Sequence, residues 1–116
     1  MIYFNNKKYV CLLDFAMDFI RGKWKALLLC NLYGGPKRFL ELQRLVEDIS
    51  QKILNENLKE LERDGLIDKV IYAEIPPKVE YHLTDKGHEI TKLIKELEAW
   101  SIKYYPELDG SCKSHN

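Results

Sequence analysis

Residues 39–84 read FLELQRLVEDISQKILNENLKELERDGLIDKVIYAEIPPKVEYHLT. Phe39, Leu42, Leu45 and Val46 mark a short helix with one apolar face. Glu47, Asp48 and Ile49 form a link, and Ser50 suits the N-cap of the next helix, where a hydroxyl can accept from a first-turn N–H. That helix is expected over 51–64, with Leu54, Leu58 and Leu61 inward at i, i+4 and i+7. Gly65 stands just past its end, where left-handed backbone is needed, and Leu66 can pack back on Leu61. There the period changes. Residues 66–73 are rich in Ile, Val and Tyr, and Val79, Tyr81 and Leu83 alternate with Glu80 and His82. These are two strands joined by Glu74-Ile75-Pro76-Pro77-Lys78, a link too rich in proline for a two-residue turn.

Upstream, Leu12, Phe15, Ala16, Phe19 and Ile20 share one face of a first helix that Gly22 breaks. A helix from about Lys23 to Tyr33 follows and is apolar nearly all round, the pattern of a helix in the middle of a core, with Cys30 inside it. Gly34-Gly35-Pro36 ends it. Downstream, Thr84 caps a last helix whose apolar positions are Ile90, Leu93, Ile94, Leu97, Trp100 and Tyr104, and Pro106 stops it. Residues 1–108 then form one domain, and 109–116 read as a loose, flexible tail. The expected architecture is α+β, mainly α: about five helices and a two-stranded hairpin in winged helix-turn-helix order.

Within that plan the helix at 51–64 is braced from behind and offers Gln51, Lys52, Asn55, Glu56 and Lys59, next to Ser50, to the major groove of duplex DNA. Gln and Asn can pair bidentately with adenine, Lys with guanine, and Glu can accept from cytosine. The hairpin would carry Lys78, with Lys69 as a second candidate, toward flanking DNA. Lys37 and Arg38 sit where backbone phosphates would pass, contacts that position a protein without specifying sequence. The alternative is a solvated charged face on a winged helix that docks another protein. The two differ in salt dependence, because each phosphate contact releases counterions.

Composition narrows the choice. The 116 residues carry 18 basic and 18 acidic side chains, a formal net charge of zero, which argues against non-specific coating of nucleic acid. The charge is uneven: residues 1–39 hold seven Lys or Arg against Asp14 and Asp18, while 40–116 hold eleven bases against sixteen acids. A neutral total therefore leaves room for a basic face. The N-terminus has no signal-peptide pattern, and the longest apolar run, Ala26 to Cys30, is too short to cross a bilayer. Cys11, Cys30 and Cys112 are odd in number and widely spaced, so a reducing cytoplasm is expected rather than a disulfide framework. His82, His88 and His115 have no nucleophile or metal-ligand partner at a useful spacing. No catalysis, metal or cofactor is expected.

From Cys11 to Trp100 the chain resembles the HxlR family of transcription regulators, relatives of the MarR type. The resemblance rests on Gly22-Lys23-Trp24 with Leu27-Leu28-Leu29, Arg38-Phe39-Leu40-Glu41-Leu42, and Ile49-Ser50-Gln51-Lys52-Ile53-Leu54 running to Leu58-Lys59-Glu60-Leu61-Glu62. Asp64-Gly65-Leu66-Ile67, Pro76 through Gly87, and Trp100 complete it. It implies a homodimer on near-palindromic operators, joined through the first and last helices, with Phe15, Phe19, Ile90, Ile94, Leu97, Trp100 and Tyr104 as candidate contacts. The last helix supports this independently, since its apolar stripe reaches beyond what one small core covers; the alternative is packing on its own first helix. Family members usually carry Cys-Pro near the N-terminus, and in several that cysteine senses oxidants or electrophiles. Here Cys11 precedes Leu12, so the thiol is present without the proline. Cys11 is a candidate redox sensor, the alternative being a small buried hydrophobe, and a small-molecule or oxidant effector stays open.

Overall fold

The computed structural model describes residues 1–108 and 110. Its centre is α2 (Lys25–Tyr33), where Leu28, Leu29, Cys30 and Leu32 are buried, as its all-round apolar sequence requires. Around it lie α3 (Phe39–Leu45), α4 (Gln51–Arg63) and α5 (Asp85–Tyr104). Leu42, Leu54, Leu58, Leu61, Leu66 and Ile67 close the core, each contributing about 1.5–3 kcal/mol by leaving water. Strands β3 (Ile67–Tyr72) and β4 (Lys78–Leu83) form the antiparallel hairpin, with Ile67 opposite Leu83 and Tyr72 opposite Lys78. Lys37 adds a one-residue bridge to Tyr81 on the outer side of β4, through Tyr81 N–H to Lys37 C=O at 2.8 Å and the reverse bond at 3.2 Å.

The N-terminus departs from expectation. Residues before Cys11 form a second hairpin, β1 (Ile2–Phe4) and β2 (Lys7–Tyr9), turning on Asn5 and Asn6 with φ of 48° and 62°. Asparagine tolerates left-handed backbone, so two in a row between aromatic, strand-forming residues is a hairpin signal. The first helix, α1 (Leu12–Met17), is shorter than its apolar face suggests. After Met17 the chain tightens into four-residue turns, Phe19 N–H to Ala16 C=O and Ile20 N–H to Met17 C=O. Phe19 and Ile20 still reach the core, and α2 begins at Lys25, two residues later than the sequence suggests.

Helix ends follow their caps. Ser50 Oγ accepts from Ile53 N–H at 3.1 Å at the start of α4. At its other end Leu66 N–H reaches Leu61 C=O, Gly65 N–H reaches Glu62 C=O, and Gly65 has φ +76°, the paired bonds that close a helix on a left-handed residue. Thr84 Oγ1 accepts from Gly87 N–H at 3.0 Å and donates to Gly65 C=O at 2.6 Å, tying α5 to the end of α4. The chain ends described with α5 stopping before Pro106; the tail expected over 109–116, with Cys112 and His115, lies outside the described residues apart from Gly110.

Candidate nucleic-acid interface

α3 and α4 meet across a link in which Val46 and Ile49 are buried and Asp48 takes left-handed backbone at φ 65°. Two apolar anchors and one permissive residue thus fix the angle between the helices. The start of α3 is held by Glu41, whose carboxylate accepts from Arg38 N–H at 3.0 Å. α3 packs on α2 and β4, α4 packs on α2 and β3, and α4 presents the outer face.

Gln51, Lys52, Asn55, Glu56 and Lys59 are all exposed, while Leu54, Leu58 and Leu61 are buried behind them. At 3.6 residues per turn the five span an arc of roughly 140° on one side of the helix. Lys52 and Lys59 make no ion pair among the described residues, so their charges are free. The flank of α4 is occupied differently: Glu60 pairs with the buried Lys25 at 3.6 Å and with Arg63 at 3.8 Å, and Arg63 also meets Asp64 at 3.5 Å. Helix α4 therefore has a free polar face and a neutralised side.

The remaining candidate cations are placed unequally. Arg38 is exposed at the start of α3. Lys37 is half-buried, its main chain paired with the wing and its Nζ bonded to Gly35 C=O at 3.2 Å. Lys69 is exposed on β3. Lys78 is held inward, with Nζ 3.4 Å from Glu80 and 4.9 Å above the Tyr72 ring. Burial pushes the Glu80 carboxyl up, but Lys78, Tyr72 and His82 together outweigh it and hold it below the usual carboxylate range. Sequence reading missed this cluster; the alternation of β4 puts Lys78, Glu80 and His82 on one face, and that signal could have found it.

The seven candidate dimer contacts divide. Ile94 is buried in the protomer's own core, and Ile90 and Phe19 are half-buried against it. α5 packs on α2, and the side of α5 that holds Gly87, Thr91 and Ile94 is the buried one, which takes Ile94 from the outer face expected of it. Phe15 stacks edge-to-face between Tyr9 and Phe19, with ring centres 5.3 and 5.1 Å away. Leu97, Trp100 and Tyr104 remain more than half exposed, and Leu93 joins them at one helical face.

Cys11 is exposed at the N-cap of α1, with no side-chain capping bond, and Cys30 is buried in α2. A cleft of about 730 Å³ opens between the N-terminal hairpin, α1 and α4, walled by Phe4, Phe19, Trp24, Lys25 and Ile53. Beside it Tyr9 donates to Asp18 at 2.7 Å. That bond, with Lys7 and Arg21 nearby, holds Asp18 below its ordinary range; the same bond, burial and the neighbouring carboxylates raise the Tyr9 phenol. No group of three metal-ligating side chains occurs among the described residues, nor any helix long and apolar enough to cross a membrane.

A helix-turn-helix with a free polar outer face, continued into a hairpin, defines a winged helix-turn-helix protein of the MarR-like kind. Residues 19–109 match the family described as HxlR-like helix-turn-helix, and the chain belongs to that family of transcription regulators. The HTH-type transcriptional regulator YtcD of Bacillus subtilis (strain 168) is 40% identical over 108 residues, 93% of this chain and 86% of YtcD. An HTH-type transcriptional regulator of Methanothermobacter thermautotrophicus is 42% identical over 104 residues, 90% of this chain and 79% of that one. Among solved structures, the redox regulator HypR in its reduced form superposes with a TM-score of 0.76 at 36% identity, covering 80% of this chain and 92% of HypR.

Proposed function

We propose that the protein is a cytoplasmic, sequence-specific regulator of transcription that binds near-palindromic duplex DNA as a homodimer. The observation that carries this is the outer face of α4, five exposed polar side chains on a helix whose start, end and back are all fixed. Gln51 and Asn55 would read adenine edges, Lys52 and Lys59 guanine or phosphate, and Glu56 cytosine. Arg38, Lys37 and the Ser50 end of α4 would set the register on the backbone. Lys78 would join them on flanking DNA, and to meet a phosphate it must leave Glu80. The exposed row Leu93, Leu97, Trp100 and Tyr104 supports pairing through α5. Two-fold symmetry would then set the two α4 helices about one DNA turn apart.

Regulation by an oxidant is part of the reading, through the exposed Cys11 thiol. The likeness to HypR, named as a redox regulator, favours it. The cleft beside α4 is the candidate place for a small-molecule effector.

Binding measured against salt tests the proposal. The affinity for duplex DNA falls steeply, by about one unit of log–log slope per phosphate contacted. Gln51→Ala or Asn55→Ala costs about 1–3 kcal/mol of discrimination at one base position. Arg38→Ala weakens all sequences alike and lowers the slope by about one. A shallow slope with no sequence preference would instead describe a winged helix that docks a protein.

A further inference from the structure

The tip of the wing is chemically unlike the rest of the proposed DNA face. Ile75 is fully exposed, and Ile71, opposite Val79 on the hairpin, is two-thirds exposed. Ile71 lies on the hairpin face that, nearer the body, buries Ile67 and Tyr81. Isolated exposed side chains are common, but Ile75 stands at an extremity that offers DNA no free cation, although the Glu74 side chain beside it is exposed. Lys78 is paired with Glu80 and covered by Tyr72. Glu74 N–H is bonded to Tyr72 C=O, its carboxylate would be repelled by phosphate, and Pro76 and Pro77 have no N–H to donate. Between Ala73 and Lys78 there is no unpaired cation.

A tip of this composition gains little from a phosphate. Its fit is to the apolar walls of the minor groove, where deoxyribose C–H groups face one another. We infer that the wing reads DNA by shape, with Ile75 as an apolar wedge against a minor-groove step that flanks the site contacted by α4. The inference rests on the reading of α4 as the major-groove element. Apolar wedges work where a base step opens easily, and pyrimidine–purine steps such as TA and CA do so. Ile75 is then a specificity-determining residue at base pairs the polar face of α4 does not touch. Its contribution carries no counterion release, which separates it from every lysine on the surface.

The test uses the full chain and the site it selects from random duplex DNA, with the flanking step set to TA or to AA. Affinity is followed against salt, and bending by energy transfer between dyes at the duplex ends. Wild type is expected to prefer the TA flank and to bend it. Ile75→Ala should lose about tenfold in affinity on the TA site, abolish the flank preference and the bend, and keep the salt slope and the central sequence preference. Ile75→Lys should regain affinity with a steeper slope and without the flank preference. Because Ile75 is fully exposed, both variants should melt as wild type does, which keeps the comparison clean. The wedge is overturned if Ile75→Ala retains affinity and flank preference, or if its loss comes with a shallower slope. A wild-type chain that selects no site at all overturns the α4 reading beneath, a result separate from either.

Discussion

Gly87 sits in the first turn of α5, where that helix passes over the backbone of Leu66, and a Cβ at this position would land on the Leu66 carbonyl. The neighbour is main chain and already bonded to Thr84 N–H, so it cannot swing aside. Gly87→Ala, normally favourable inside a helix, should here destabilise by about 1–3 kcal/mol as overpacking, read as a lower urea midpoint with unchanged slope. Tyr9 and Asp18 make a second residue-scale prediction. The Asp18 carboxyl lies below its ordinary value because Tyr9 donates to it, and the Tyr9 phenol lies above its own for the same reason. A depressed carboxyl gives stability that is present above its unfolded value near 3.8 and lost as pH falls through the folded value. A raised phenol gives stability present below 10 and lost as pH rises through its folded value. Thermal melts of Tyr9→Phe should therefore lie below wild type by a constant interval from about pH 4 to 10, and the interval should close in acid.

At the scale of elements, α4 was legible at both ends because each end is decided by local chemistry: a serine hydroxyl at one and a glycine that can turn left-handed at the other. The wing was legible through its change of period, and Cys30 through the apolar sequence around it. Elements decided by distant partners were not. α1 stops at Met17 although its apolar face continues to Ile20, since Phe19 and Ile20 reach the core from turns as well as from a helix. Ile94 belongs to an apolar series with two faces, and only the packing of α5 on α2 says which is inward. The sequence points Lys78 toward flanking DNA without showing its partners, because Glu80 and Tyr72 meet it only once the hairpin is formed. The outward face of α5 carries its own prediction. Leu97→Glu, a charge amid Leu93, Trp100 and Tyr104, should weaken association a hundredfold or more if the row is desolvated in a dimer, and sedimentation velocity should show monomers where wild type is dimeric. Equal sedimentation of the two would remove α5 from the interface.

For the whole molecule the arrangement is a fixed core with three differently built outer parts. The α4 face is polar with free charge, the end of α5 is aromatic and apolar, and the wing tip is apolar with its lysine withdrawn. A chain with no net charge can bind DNA selectively on these terms, because the unpaired lysines of α4 and the exposed Arg38 offer phosphate a local positive charge. The central claim is that two copies of α4 read duplex DNA together. Selection of binding sites from a random duplex library, at moderate salt and with the thiols reduced, tests it most directly. The account predicts enrichment of an inverted repeat with half-sites about one helical turn apart, and its loss when α5 carries Leu97→Glu. Enrichment of nothing, or of single half-sites without symmetry, would contradict it.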